Sequence, residues 1–225
     1  MIRVHHLENS RSQRVLWLLE ELGLRYEVVR YARDPETLLA PPELRRIHPL
    51  GKSPVIEDDG LIVAESGAIL EYLAETYDPR FQVHPAPDAP RELRLRYRYW
   101  MHYAEGSAML QPTLALVFAR IKVAPMPFLV RPVARGLADR VLDSFVRPQI
   151  VAQLDYLEAE LGRAAWFCGD AFSAADVQMS FPIEAAVARG DGAARPKLSG
   201  FIDRIHARAA YKAALERGGP FSLLG

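Results

Sequence analysis

Glu65 and Ser66 stand where an apolar run, Leu-Ile-Val-Ala, gives way to a helix-forming stretch. The first N–H groups of a helix have no intrahelical partner and carry positive potential, so Ser66 in that setting can help to hold an anion. Glu65 beside it can pair with a cation. Together they suit a zwitterion, although plain helix capping by Ser66 explains the same residues. A second polar group, Asn9-Ser10-Arg11-Ser12, follows a short apolar run and offers hydroxyl and amide donors beside positive charge. Asn9 and Ser10 are equally good N-cap types. The single cysteine, Cys168, excludes an internal disulfide, a cysteine-rich metal site and a CxxC redox pair. Thiol chemistry would need Cys168 or a thiol that arrives as a ligand. Cys168 lies among Trp166, Phe167 and Gly169, the setting of a buried, inert thiol. His5 and His6 lack acidic or cysteine partners at ligand spacing. Strand alternation points one inward and one outward, for packing or solvent rather than metal.

The elements that must position these residues are legible. Residues 2–7 read as a strand, and RSQRVLWLLEELGL as a helix with Val15, Leu18, Leu19 and Leu22 on one apolar face and Gly23 at its stop. Residues 26–31, YEVVRY, read as a second strand, and this strand–helix–strand unit predicts parallel pairing. Residues 32–50 are broken by prolines, with a helical turn or two around PPELRRI. Two apolar runs flank Asp59-Gly60, a hairpin signal. A helix over residues 66–77 completes a small α/β domain with a mixed sheet. Residues 78–90 hold four prolines and read as a linker, with the boundaries set at 1–80, 81–90 and 91–225. Beyond it strand signals vanish. Helical patterns run over 91–122, about 130–161, 174–188 and 198–209, with Pro112 and Pro148 kinking or delaying helices. The second domain is therefore all-α.

The chain has 225 residues, half of them hydrophobic, with 28 basic and 28 acidic side chains. That balance argues against a dedicated nucleic-acid binder. No apolar run is long enough to span a bilayer, and the opening MIRVHHLENS lacks a signal-peptide pattern, so a cytoplasmic location is expected.

Three stretches, HHLENSRSQRVLWLLEELGLRYEVVRY, PPELRRIHPLGKSPVIEDDGLIVAESGAILEYL and FCGDAFSAADVQMSFP, together resemble the soluble glutathione S-transferases, closest to a fungal and bacterial subgroup. The resemblance covers nearly the whole chain. It implies a thioredoxin-like N-terminal domain with a four-stranded mixed sheet, an all-helical C-terminal domain, glutathione as co-substrate with no metal, a small electrophile as the second substrate, and a homodimer. In such proteins the bond before the proline matching Pro54 is cis. That would turn the Ser53 backbone outward to pair with the cysteinyl part of glutathione like an added strand; Pro54 as an ordinary strand start is the plainer alternative. Ser66 would bind the γ-glutamyl carboxylate, Glu65 the α-ammonium and Lys52 the glycyl carboxylate, although Lys52 alone also reads as a solvated surface lysine. A hydrogen bond to the thiolate from the loop after the first strand would lower the thiol pKa. No tyrosine stands there. Ser10 is the principal hydroxyl and Asn9 its rival, because some serine-type members place the donor at the offset that Asn9 occupies. Arg11 or Arg14 would add positive potential. Tyr103 and Met109, on the first long helix, are expected to border the electrophile pocket, and Phe118 to Phe128 to form a lid. The Ser173-x-x-Asp176 start of a buried helix has a folding role.

Three functions compete on these residues. A transferase and a glutathione-dependent peroxidase would use the same activated thiolate. A non-catalytic binding module is possible on the same fold, but need not keep the Lys52–Pro54 and Glu65-Ser66 set. Thiol–disulfide exchange through a protein cysteine is disfavoured, because the first domain contains none.

Overall fold

The computed structural model describes residues 1–37, 39–190 and 194–222. Strand β1 (Ile2–Leu7), helix α1 (Ser12–Glu21) and strand β2 (Tyr26–Tyr31) form the expected unit, with the two strands parallel and Ile2 opposite Tyr26. A 3-10 turn spans Pro42–Arg46. Strands β3 (Val55–Asp58) and β4 (Leu61–Ala64) form an antiparallel hairpin. Its two turn residues, Asp59 (φ 46°) and Gly60 (φ 88°), both adopt the left-handed conformation that a tight hairpin demands. The sheet order is β2-β1-β3-β4, and β1 is antiparallel to β3. Helix α2 (Ser66–Tyr77) follows β4 directly.

The remaining described elements are helical. Helices α3 (Arg91–Tyr103) and α4 (Leu110–Val123) join through a π-helical segment, Ala104–Ala108; α5 (Arg131–Val141) and α6 (Arg147–Leu161) join through another, Leu142–Val146. Each π segment lies just ahead of a proline, Pro112 or Pro148, in the first turn of the next helix. A proline has no N–H and crowds the carbonyl four residues back, so a regular helix cannot pass through it undisturbed. Helix α7 (Ala174–Ala188) is buried along almost its whole length and sits at the centre of the molecule. Helices α8 (Pro196–Ala207) and α9 (Ala209–Gly218) close the described chain, and the hydrophobic core runs continuously through Trp17, Ile69, Trp100, Phe167 and Phe201.

Two expectations need correction. The helix predicted near 198–209 is α8, and a second, unpredicted helix follows it after Arg208 turns to an extended conformation (ψ 135°). The second, α9, packs on α1 and β2 and changes the fate of the histidines. Both are buried, not one in and one out. His5 lies against Tyr31, whose hydroxyl is 2.9 Å from Nδ1. His6 lies on the side covered by α9, next to Gly218. Sheet alternation holds, but both faces are covered.

Candidate active site

A cleft of about 270 Å³ is lined by Arg11, His48, Leu50, Lys52, Ser53, Pro54, Ala64, Glu65, Ser66 and Glu105. All five ligand-holding residues expected from the sequence meet there. The Ser53–Pro54 bond is cis. The Ser53 hydroxyl donates to the His5 carbonyl at 2.8 Å and accepts the Leu7 N–H at 3.2 Å. It therefore staples the loop to β1, and the Ser53 backbone is what the residue can offer to a ligand.

Glu65 and Ser66 divide the work differently from simple capping. Glu65, not Ser66, is the N-cap of α2, and no side chain caps that helix. Ser66 is its first residue and is buried. The helix therefore presents its N-terminal N–H groups to the cleft without a side-chain acceptor, the arrangement that receives a carboxylate. Glu65 is exposed, with φ 72° and ψ 123°. A non-glycine residue there costs on the order of 1–3 kcal/mol, and such residues concentrate at ligand sites.

Comparisons with known proteins give the family of this fold. The family described as "Glutathione S-transferase, N-terminal domain" matches residues 1–75, and "Glutathione S-transferase, C-terminal domain" matches residues 139–209. Glutathione S-transferase 1 of Saccharomyces cerevisiae is 36% identical over 96% of this chain and 95% of its own length. The chain belongs to the glutathione S-transferase family. Glutathione S-transferase 3 of Schizosaccharomyces pombe is 40% identical over 83% of this chain and 74% of its own length. A glutathione S-transferase structure from Actinobacillus pleuropneumoniae superposes with a TM-score of 0.81 at 29% identity, covering 99% of this chain and 95% of that one. A glutathione transferase homologue from Lodderomyces elongisporus, solved with two GSH per subunit, shares the fold with a TM-score of 0.73 at 21% identity, covering 96% of this chain and 97% of that one.

The β1–α1 loop of this transferase is less simple than its sequence suggests. Ser10 is buried beside the cleft rather than lining it. Its Oγ accepts the Ser12 N–H at 3.2 Å and lies 2.7 Å from the Ser12 hydroxyl. Ser12 Oγ is in turn 2.8 Å from His6 Nδ1 and 3.1 Å from the Leu7 carbonyl. Burial and the charge of Arg30 lower the His6 pKa to about 4, so the ring is neutral near pH 7. If its Nδ1 is the acceptor, Ser12 donates to it and Ser10 donates inward to Ser12. If Nδ1 carries the proton, Ser12 can donate to Ser10, which frees the Ser10 proton for another acceptor, or to the Leu7 carbonyl, which leaves Ser12 able to accept from Ser10. Asn9 is exposed, with φ 48°, and its Oδ1 accepts the Ser222 N–H at 2.8 Å. Its amide nitrogen is the group left to donate.

The cleft also contains residues not anticipated: His48, Leu50, Ala64 and, from the helical part, Glu105. Tyr103 and Met109 are not among its lining residues. Tyr103 instead lines a surface groove with Leu95, Tyr99, His102 and Tyr156. Two helical residues turn the chain by about 200°, so Tyr103 and Glu105 cannot share a face. Met109 is half-buried at the junction into α4. Residues 118–123 continue α4, and Phe128 is exposed beyond it. Cys168 is pushed up to about 12 by burial, which suits an inert thiol.

Proposed function

We propose that this transferase activates the thiol of glutathione for attack on small electrophiles. Lys52 would hold the glycyl carboxylate, the Ser53 backbone beside Pro54 the cysteinyl unit, and Ser66 with the α2 N-terminus the γ-glutamyl carboxylate. Glu65 would pair with the α-ammonium. The observation that carries this reading is the convergence of these five residues on one cleft whose helix N-terminus has no side-chain cap. Ser10 or Asn9 would donate the hydrogen bond that favours the thiolate. Calorimetric titration with reduced glutathione, beside an oxidised control, tests the assignment. Saturable binding of about one per chain, weakened at least tenfold by Glu65→Ala, is the expected result, since removing one partner of a charged ligand group costs roughly 1.5–3 kcal/mol. Absence of binding at millimolar ligand would make the chain a scaffold.

A homodimer belongs to the same proposal. Leu95, Tyr99 and Tyr156 are exposed around one groove, and Leu61 and Ile62 are exposed on β4. An exposed apolar set of this kind suits an interface. Gel filtration showing a monomer alone would refute it. A detoxifying role and a cytoplasmic location complete the reading, tested by electrophile turnover and by cell fractionation.

A further inference from the structure

Of the β1–α1 loop, the residue that lines the cleft is Arg11. Its Nε lies 2.9 Å from both carboxylate oxygens of Glu105, and its guanidinium carbon is 4.8 Å above the centre of the Phe181 ring. Arg14 stands behind it, fully buried, and bonds the same carboxylate together with the Gln178 carbonyl and side chain at 2.7 Å. Two guanidinium groups therefore share one carboxylate, so the trio carries a net positive charge at the cleft wall. Burial pushes the Glu105 carboxyl up, but the charges and hydrogen bonds of Arg14 and Arg11 outweigh it and hold it below its ordinary value. Glu105 is ionised and the pairing is permanent near neutral pH.

Arg11 is also placed to meet a ligand. It and Glu105 are each about one-third exposed (34% and 33%), while Arg14 is at 1%. Glu105 comes from the π-helical segment Ala104–Ala108, where an added residue in the turn re-aims side chains. The segment sends Glu105 across to the first domain, where it fixes the direction of Arg11, and the Phe181 face supports the guanidinium from below.

We propose that Arg11 is a catalytic cation that stabilises the glutathione thiolate, and that Glu105 is the positioning residue that aims it. This rests on the glutathione-binding reading above and adds charge stabilisation to whatever hydrogen bond Ser10 or Asn9 donates. In the step concerned, the S–H bond of glutathione breaks, its electron pair stays on sulfur and its proton passes to water. The guanidinium neither gains nor loses a proton. It lowers the energy of the anion that forms, as an opposite charge within a few ångströms does.

The test follows the ultraviolet absorbance of the bound thiolate against pH, with S-methylglutathione, which has no ionisable thiol, as a binding probe. Arg11→Ala should raise the bound-thiol pKa by about one unit or more, a tenfold loss of thiolate below that pKa, and change S-methylglutathione affinity less than about threefold. Arg11→Lys should recover part of the shift. Glu105→Gln keeps an acceptor for both arginines but removes the negative charge, so it should shift the thiol pKa the other way. A purely structural pair would not give shifts of opposite sign. An unchanged thiol pKa in an Arg11→Ala protein that still binds the probe would overturn the proposal. Equal loss of glutathione and probe binding in that variant would also overturn it, making Arg11 a binding residue. If the unaltered protein bound neither ligand, the underlying glutathione reading would fail with it.

Discussion

Asp176 is a folding residue whose loss can be worked out from its contacts. It is fully buried at the third position of α7, where it closes a capping box with Ser173. One carboxylate oxygen accepts the Phe167 N–H at 2.8 Å; the other accepts the Ser173 N–H at 2.8 Å and its hydroxyl at 3.0 Å. Asp176→Ala removes the acceptor from two buried N–H groups, while the hydroxyl can rotate elsewhere. Each stranded N–H costs roughly 1–3 kcal/mol, so the loss should be about 2–6 kcal/mol. For a chain of this length that corresponds to a fall in the thermal midpoint of roughly 5–20 °C. The pH dependence sharpens the test. Burial raises the Asp176 pKa from 3.8 to about 6 against the opposing hydrogen bonds. Between those values the folded state binds more protons than the unfolded state, so this group stabilises most at low pH and that contribution falls away as pH rises through about 6. The alanine variant lacks this titration. Its deficit relative to wild type should therefore widen, by up to about 3 kcal/mol, as pH falls from about 6 toward 4. Differential scanning calorimetry at several pH values measures both effects, and glutathione affinity of the folded variant should match wild type. A midpoint within about 2 °C of wild type, or a deficit that shrinks on acidification, would refute the reasoning.

Other outcomes follow from the packing around α9. The His6 pKa is depressed from 6.5 to about 4 by burial and by Arg30, so the unfolded chain takes up a proton first as pH falls. That stability is fully present above 6.5 and lost toward 4, up to about 3 kcal/mol, and His6→Asn should flatten this part of the acid unfolding curve. Gly218→Ala would bring a methyl carbon within 2.7 Å of Leu16 Cδ1 and 3.1 Å of Gln13 Oε1. Overpacking of this kind costs about 1–3 kcal/mol, and chemical denaturation should show it with an unchanged slope. Asp58→Ala would strand the hydroxyls of Tyr72 and Tyr77, which both donate to its Oδ2. An urea midpoint equal to wild type would count against that network.

The sequence by itself determined whatever depends on neighbours along the chain. The β1–α1–β2 unit, the Asp59-Gly60 hairpin, the start of α2 and the Ser173–Asp176 box are local patterns of period, turn chemistry and capping, and they reappear as expected. The pairing of Lys52–Pro54 with Glu65-Ser66 was also legible, because one hairpin joins them. Helix α9 was readable in principle, since Tyr211, Ala214 and Gly218 fall on one buried face, but its separation from α8 depends on a single residue, Arg208. Only the tertiary structure decided which way side chains point where no local rule governs them. Arg11 and Arg14 look alike in sequence, yet one lines the cleft and the other is buried against α7. Glu105 is far from them along the chain and reaches them from a π segment whose phase a regular 3.6-residue period does not predict. The direction of the Ser10 hydroxyl depends on Ser12 and on a histidine that α9 helps to bury. The frame of the candidate cleft is thus written in local sequence, whereas the charge and hydrogen bonds around the β1–α1 loop come from segments brought together by packing.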